Sequence, residues 1–367
     1  MKVERLFAAL LAICICASGA YAREFRKALP GYTLKFPADH ASHDEYKTEW
    51  WYYTGHLVGV DGTKYGYEVT FFRSAMDVPR PPKTSEWSLD NVYFTHYAVS
   101  DVTGKNFFHT QRLTRPALGL AGADQKRLHV WNGDWSVSDQ PDGTTRLKAS
   151  SPQYSLDLTL KPTKPPALHG KAGLSQKADC VGCASYYYSL TRMQTAGTMR
   201  KSGGKPVTVS GVTWMDHEFG SNQLTSEQVG WDWFSVQLDD NSELMLYQMR
   251  RRDGKLDSNS SGTLVLANGS TKHLPLTEYT VTTSATWQSP HTQGKYPMGW
   301  HVSIPSLHED LEIEPALQDQ ELVKQRDTDV TYWEGTCAVS GHKDGKPIRG
   351  EAYVEMTGYA EAFNKRI

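Results

Sequence analysis

The sequence predicts an all-β protein built from two similar antiparallel β-barrels. Eleven Trp and 19 Tyr residues, turn-forming dipeptides throughout and no long helical periodicity favour strands over helices. A strong hairpin pattern over residues 48–73 returns about 180 residues further along the chain, which indicates two copies of one β-architecture. Short antiparallel strands joined by hairpins close most simply into barrels, because closure removes exposed edges.

The first hairpin, TEWWYYTGHLVGVDGTKYGYEVTFFR, carries Asp61-Gly62 at its turn. A two-residue turn sets His56 opposite Tyr67 and Trp50 opposite Arg73. One face then holds Trp50, Tyr52, His56, Tyr67 and Arg73, and the other holds Glu49, Trp51, Tyr53 and Glu68. Both faces are aromatic, so alternation does not show which is inside. The predicted substrate-binding residues on the first face are Trp50, Tyr52, His56 and Arg73.

The second hairpin, TSEQVGWDWFSVQLDDNSELMLYQMRRRDG, places Asp232 where alternation calls for an apolar residue. With two or four residues in the turn, Leu238 pairs with Glu243 and Asp232 lies across from Met249, near Tyr247. Among such neighbours the carboxyl loses hydration, its pKa should rise, and it can act as a general acid toward an apolar substrate. The alternative is a buried, hydrogen-bonded Asp232 that fixes the register of the barrel.

Further strands fit segments of the same kind, and two segments rich in Pro and Lys are predicted as long loops. The loops are MDVPRPPKTSEWSLD and KPTKPPALHGKAGLSQKADCVGCA, either mouth-lining segments or surface insertions. The strands are NVYFTHYAVSD, RLHVWNGDWSVSD, TTRLKASSPQYSLDLTLKP, SYYYSLTRMQTAGTM, VTVSGVTWMDHEFG, TYWEGTCAVSG and RGEAYVEMTGYA.

The N-terminus has the pattern of a signal peptide over residues 1–22. Lys2 and Arg5 precede an apolar run, and Ala20-Tyr21-Ala22 fits a small-x-small cleavage site, so the mature chain is expected to begin at Arg23 and to be exported. The apolar run is too short for a spanning helix, so no stable membrane insertion is expected after cleavage. The formal net charge of −2 argues against nucleic acid or an anionic membrane as the main partner.

Three cysteines follow the signal peptide. In an oxidising compartment, Cys180 is expected to form a disulfide with Cys183 or with Cys337. The DCVGC motif also resembles half of a zinc site, but no second Cys or His pair at ligand spacing accompanies it, so no metal is predicted.

Sequence motifs identify a family. The nucleophile elbow, the zinc-protease helix, the P-loop and the dinucleotide fingerprint are missing. EWWYYTGHL, ASYYYS, WMDHEFGS, GWDWFSVQLDD with ELMLYQMR, and YWEG followed by YVEMTGYA resemble the carotenoid 1,2-hydratase/AttH-like family over nearly the whole mature chain. The resemblance implies two lipocalin-like barrels side by side, divided into residues 23–218 and 219–367, with the site where they meet. It also implies cofactor-free hydration of a carbon-carbon double bond by protonation.

The family pattern maps onto WMDHEFG and GWDWF. The matched positions are Asp216, His217, Glu218 and Asp232, predicted as catalytic residues, and Trp214, Trp231 and Trp233, predicted as substrate-binding residues. Tyr247, opposite them in the second hairpin, is also predicted as a substrate-binding residue. In this chain His217 stands where relatives carry Arg, and CVGC is inserted before ASYYYS.

The residues of TWMDHEFG support this assignment independently. In an extended strand Trp214, Asp216 and Glu218 share one face, with the two carboxylates roughly 6 to 7 Å apart, so one of them can hold its proton near neutral pH. The alternative is that one acid pairs with Arg73 or Arg250, or caps the interdomain turn. His217 points to the opposite face, where a structural role is the alternative to catalysis.

We therefore expect an exported, cofactor-independent hydratase or hydrolase that acts on a small hydrophobic, isoprenoid-like or lipid-like molecule between the barrels. Asp232 would donate the proton, Asp216 or Glu218 would orient water or stabilise a cation, and the tryptophans would stabilise positive charge. A ligand carrier without chemistry and a carbohydrate-binding or carbohydrate-processing protein are the alternatives.

Overall fold

The computed structural model describes residues 24–77, 90–222, 224–325 and 330–362. The predicted signal peptide, residues 1–22, and most of the predicted loop 76–90 lie outside these ranges. Within them, helix is limited to three-residue 3₁₀ turns, and no helix has the length and apolar character needed to cross a membrane. The turns are Ala38–His40, Ala117–Gly119, Leu276–Glu278 and Pro305–Leu307.

The first half of the chain forms one antiparallel sheet in the order β4-β3-β2-β1-β13-β12-β9-β8-β7-β6-β5, with β10 and β11 also paired to β12. Its strands are β1 (Thr48–Gly59), β2 (Lys64–Ala75), β3 (Asn91–Asp101), β4 (Asn106–Thr114), β5 (Ala121–Ala123), β6 (His129–Asn132), β7 (Trp135–Asp139), β8 (Thr145–Ser150), β9 (Tyr154–Pro162), β10 (Ala167–Leu168), β11 (Leu174–Gln176), β12 (Ala184–Lys201) and β13 (Val207–Gly220).

The second half forms a separate antiparallel sheet in the order β17-β16-β15-β14-β23-β22-β20-β19-β18, with β21 paired to β22. Its strands are β14 (Gln228–Leu238), β15 (Glu243–Arg251), β16 (Ser261–Val265), β17 (Thr271–Pro275), β18 (Thr280–Gln288), β19 (Lys295–Ile304), β20 (Glu309–Pro315), β21 (Glu321–Leu322), β22 (Tyr332–Lys343) and β23 (Lys346–Thr357).

Each sheet curves around its own apolar core, and the all-β, two-barrel prediction is confirmed: one sheet is nearly closed and the other is a half-barrel. Trp51, Tyr53 and Leu57 on β1 project into the first core. Phe234 and Val236 on β14 project into the second.

A third apolar cluster lies between the two sheets. It is made largely of aromatic and methionine side chains from both: Tyr52, Tyr187, Trp214, Trp233, Met245, Tyr247, Met249 and Tyr353. The first sheet ends at Gly220 and the second begins at Gln228, so the predicted division after residue 218 falls two residues inside the last strand of the first sheet.

The register predicted for the first hairpin is wrong by one residue. The loop contains three residues, Val60 to Gly62, so Trp50 pairs with Phe72 and His56 with Gly66. Gly62 has φ +83°, the left-handed conformation that closes a three-residue hairpin with a bulge. A one-residue shift exchanges the faces of a strand. Arg73 and Tyr67 therefore lie inside the first barrel, and Glu68 joins the outer face with Trp50 and Tyr52.

The second hairpin differs from its prediction for the same reason. Gln237 pairs with Glu243, and Asp232 pairs with Gln248 instead of Met249. The loop of residues 239–241 again has three members and ends in a left-handed residue, Asn241 with φ 61°. The tryptophans that flank Asp232 consequently share a face with Met249, Tyr247 and Met245, while Asp232 faces the second barrel.

Strand segments predicted from sequence mostly coincide with observed strands, and NVYFTHYAVSD is β3. Strands β4, β5 and β16 to β21 were not predicted, because most of these segments are short or largely polar. The predicted loop 161–184 contains the two short strands β10 and β11.

Candidate active site

A cleft of about 690 Å³ opens between the two sheets. Its walls combine aromatic side chains with carboxyl groups, and both sheets contribute, as does the N-terminal segment at residues 24–27. The lining side chains that bear on chemistry are Trp50, Tyr52, Thr70, Phe72, Lys177, Tyr187, Asp216, Glu218, Trp231, Trp233, Tyr247, Met249 and Glu355. The predicted position of the site, where the barrels meet, therefore coincides with a real cavity.

Asp216 is fixed in the cleft wall by three hydrogen-bond donors. The Ser189 hydroxyl and the Trp214 indole, at 2.6 Å, donate to Oδ1, and the Tyr187 hydroxyl donates to Oδ2 at 2.7 Å. Burial raises the pKa of Asp216 to about 7, although the three donors act in the opposite direction. Its ionisation therefore occurs near neutral pH. Trp214 lies behind Asp216 as an orienting group.

Glu218 lies two residues further along β13 on the same face, as predicted. It accepts a hydrogen bond from the Ser185 hydroxyl and forms a buried ion pair with Lys177, 3.1 Å from Nζ to Oε1. Burial works to lower the pKa of Lys177, but Glu218, Tyr247 and Asp216 together outweigh it and the pKa is raised. The Lys177 ammonium also lies over the Tyr247 ring, 4.5 Å from its centroid. The predicted pairing of either acid with Arg73 or Arg250 is not observed.

Glu355 on β23 is a cleft acid that was not predicted from the sequence. Its carboxylate accepts a hydrogen bond from the Trp231 indole at 2.9 Å. It stands directly across from Trp233 on one side and from Glu334 on the other. Burial raises the pKa of Glu355 to about 8, and the nearby charge of Glu68 adds to the rise. The motif YVEMTGYA contained the signal: a single acid between apolar residues on a strand.

Six of the predicted substrate-binding residues are in or immediately behind the cleft. Trp50, Trp231 and Trp233 line it, as do Tyr52 and Tyr247; Trp214 lies behind Asp216. The Trp233 indole also donates to the Tyr187 hydroxyl at 3.0 Å, which connects the second sheet to the hydrogen bonds around Asp216.

Arg73 and His56 are not in the cleft, and their assignment as substrate-binding residues is corrected. Arg73 is fully buried inside the first barrel, where Nε lies 3.1 Å from Glu49 Oε2. His56 lies in the contact between the sheets, with Nδ1 2.9 Å from the Thr336 hydroxyl. The one-residue register shift explains Arg73. His56 keeps its predicted face but lies beyond the end of the cavity.

His217 is likewise outside the cleft, because alternation along β13 directs it into the first barrel. Its Nε2 is 2.9 Å from Glu49 Oε1, and its ring stacks on Trp51. Its assignment as a catalytic residue is therefore corrected to the structural alternative. His43, Glu49 and His217 are the only described residues whose donor atoms lie close enough together to bind a metal ion. In the structure these atoms are hydrogen-bonded to one another and to Arg73.

Asp232 is absent from the cleft lining. Its carboxylate lies 3.2 Å from Arg250 Nε and accepts a hydrogen bond from the Tyr359 hydroxyl at 3.0 Å. Burial raises the pKa of Asp232, as predicted, while Arg250 acts to lower it. The site therefore matches the structural alternative, a buried and partnered acid in the second barrel.

Cys180 and Cys183 are joined by a disulfide, and Cys337 is a buried free thiol. The disulfide loop supports the cleft, because the Lys177 backbone N–H donates to the Cys183 carbonyl at 2.8 Å. The CVGC insertion thus lies beside the cleft lysine.

Comparison with known proteins agrees with this architecture. A family model described as AttH-like matches residues 27–359. A solved structure of a protein assigned as an AttH, from Nitrosomonas europaea, has a TM-score of 0.83 and 32% identity, and the match covers 92% of this chain and 100% of that one. Kievitone hydratase from Nectria haematococca shares the fold, with a TM-score of 0.70 and 16% identity over 93% and 98% of the two chains.

Two curated relatives are named as enzymes. The kievitone hydratase of Fusarium solani subsp. phaseoli is 25% identical over 73% of this chain and 75% of its own length. The dehydratase AsqC of Emericella nidulans is 22% identical over 61% and 64%. Because the family model spans nearly all described residues, the chain belongs to the AttH-like family.

Proposed function

We propose that this protein is an exported hydratase- or dehydratase-type enzyme that adds water to, or removes it from, a hydrophobic molecule bound between the barrels, without a cofactor. Similarity to a hydratase and a dehydratase supports the reaction type. One observation carries the proposal: two carboxyl groups from different sheets, Asp216 and Glu355, line the same aromatic cleft.

The two acids suit different steps. With a pKa of about 8, Glu355 holds its proton at neutral pH and serves as the general acid that protonates a double-bond carbon. Asp216 has a pKa of about 7 and is substantially ionised there, so its carboxylate orients the attacking water and stabilises positive charge. The π faces of Trp50, Trp231 and Trp233 stabilise the same charge.

The substrate is expected to be mostly apolar, because aromatic and methionine side chains make up much of the wall. Lys177 and the two carboxyls are the polar groups that would orient it. Export is supported by the signal-peptide pattern at residues 1–22 and by the disulfide between Cys180 and Cys183.

Turnover of an extracted isoprenoid and lipid pool tests the proposal. Purified protein should convert a component into a product that differs by one water, whereas Glu355→Gln should lower kcat by on the order of 10² to 10⁴. Glu351→Gln, an exposed acid on the same strand, is the matched control and should retain full activity. Equal turnover by Glu355→Gln would exclude it as the proton donor.

A carrier without chemistry is the second candidate, favoured by the aromatic lining of the cleft. Native mass spectrometry distinguishes the two functions together with the turnover assay. A carrier retains one apolar ligand unchanged, in wild type and Glu355→Gln alike.

A further inference from the structure

In the proposed hydration the attacking water releases a proton, and Glu355 must regain one before the next turnover. Behind the cleft wall lies a pair of acids not yet assigned a role, Glu68 on β2 and Glu334 on β22. Each is almost completely shielded from solvent, with 1% and 2% exposure. Each also supports a hydroxyl that lines the cleft, because Tyr52 donates to Glu334 Oε1 and Thr70 donates to Glu68 Oε1 at 2.7 Å.

We propose that Glu68 and Glu334 share a single proton and that, through the Tyr52 hydroxyl, this pair takes up the proton released in the cleft. In this step the water O–H bond breaks as its oxygen bonds to carbon. The proton passes to the Tyr52 oxygen, and the Tyr52 proton passes to Glu334. The pair then holds two protons, and dehydration runs the same transfers in reverse. This role rests on the proposed function.

Geometry requires the pair to hold a proton. Glu334 lies directly opposite Glu355 on the neighbouring strand, a position where like charges are destabilising, and Glu68 approaches from the other sheet. Within the described part of the chain, neither a Lys nor an Arg side chain is among the strongest influences on the pKa of these three carboxyls. Three buried carboxylates that repel one another and have no directly paired cation do not all remain charged.

The other ionisable groups around the pair supply no positive charge. They are His96 on β3, the tyrosines on β1, β22 and β23, and Glu355 itself. Burial lowers the pKa of His96 to about 3, so its ring is neutral. Burial likewise raises the pKa of Glu68, to about 7, which agrees with a proton held on the pair.

The hydroxyls of Tyr52 and Thr70 connect the pair with the cleft, whereas the opposite side of the pair is closed. Tyr52 connects Glu334 with the cavity, whereas Tyr332 connects Glu68 with His96 Nδ1 at 2.6 Å. On that second side the chain of hydrogen bonds ends, because His96 Nε2 is buried without a partner in the described structure. The position of Glu334 opposite Glu355 also places an acquired proton beside the donor that has lost one.

Infrared spectroscopy of the full chain without substrate tests the proposal. Wild type should show at neutral pH a protonated carboxyl band that is missing from the double variant Glu68→Gln/Glu334→Gln, beside the absorption of protonated Glu355 and Asp216 that both proteins share. On transfer into D₂O, the deuteration shift of this band should be slower in Tyr52→Phe by on the order of tenfold. The matched control Tyr332→Phe removes an equivalent hydroxyl on the sealed side and should exchange at the wild-type rate.

The outcomes separate this inference from the proposed function, because no substrate is used. A double variant with the same protonated carboxyl absorption as wild type would show that the pair is ionised and would overturn the inference. Equal exchange rates in wild type and Tyr52→Phe, or slowing confined to Tyr332→Phe, would overturn the route through Tyr52. If the double variant does not fold, the exchange rates of the two tyrosine variants still show whether the proton reaches the pair through Tyr52. If no turnover is found but exchange is slow in Tyr52→Phe, the proposed enzymatic function is rejected and the proton pathway is retained.

Discussion

Glu334 and Glu355 occupy directly opposed positions on the antiparallel strands β22 and β23, with both side chains on the face that meets the first sheet. Two carboxylates in such a cross-strand pair repel each other, and burial strengthens the effect. Their protonation is therefore linked to the stability of the fold, and this linkage can be measured.

The free energy of unfolding should fall as pH rises from about 5 to about 8, and part of this dependence should come from Glu355. The pKa of Glu355 is raised to about 8 in the folded chain, so the folded state binds a proton that the unfolded state has lost. The contribution of Glu355 to the free energy of unfolding is complete below the pKa that this group has in the unfolded chain. It is lost as pH rises, by at most about 1.4 kcal/mol per pH unit. In urea unfolding at several pH values, the slope of the free energy of unfolding against pH should be smaller for Glu355→Gln than for wild type. Identical slopes would mean that Glu355 titrates normally.

Tyr187→Phe should move the acidic limb of the pH–activity profile to higher pH. Burial raises the pKa of Asp216, and the hydrogen bond from the Tyr187 hydroxyl opposes that rise. Its removal therefore disfavours the carboxylate, and activity that needs ionised Asp216 should begin at a higher pH. The profile of kcat/KM measures this shift. A profile that moves to lower pH, or stays in place, would contradict the role given to Asp216.

Asp232→Asn should cost stability and leave turnover per folded molecule unchanged. The substitution removes the charge that pairs with Arg250 and weakens a buried hydrogen bond, so we expect a loss of about 1 to 3 kcal/mol. Asp253→Asn, which removes an exposed carboxylate paired with Arg251, is the comparison and should change stability by less than about 0.5 kcal/mol. Thermal unfolding and activity normalised to folded protein measure both effects. A stable but inactive Asp232→Asn variant would restore the catalytic assignment.

Removal of the Cys180–Cys183 disulfide should affect the cleft more than the fold. The closed loop is short, so the stability lost should not exceed about 2 kcal/mol. The Lys177 backbone is hydrogen-bonded to Cys183, so the ammonium should lose its fixed position beside Glu218. Ligand affinity, measured for the Cys180→Ser/Cys183→Ser variant, should therefore fall while Tm changes little. Unchanged affinity would show that the loop does not position Lys177.

The sequence predicted the strands and the family well, but not the faces. Alternation identified β1, β2, β14 and β15, because their β-forming runs are long. It could not give the loop length, and a three-residue loop reverses the face of every residue relative to a two-residue or four-residue loop. This one-residue error in the predicted strand pairing placed Arg73 on the ligand-binding face and put Asp232 on one face with Tyr247 and Met249.

Groups that act across the two sheets were the hardest to predict. Asp216 and Glu218 were found because both lie on one strand within one motif. Glu355, Lys177 and Glu68 come from three separate segments, and only the packing of one sheet on the other brings them to the cleft or next to it. Single-strand alternation contains no information about such distant pairs.

The division of strands between the sheets has a practical consequence. Within the described chain, no strand of one sheet is hydrogen-bonded in a ladder with a strand of the other, and the connection at residues 221–227 is the only covalent link. A cut there would leave two fragments, each with its own complete set of strand partners and one aromatic wall of the cleft. Mixing the fragments should rebuild the cavity, so recovered ligand binding would serve as a split-protein reporter of their association.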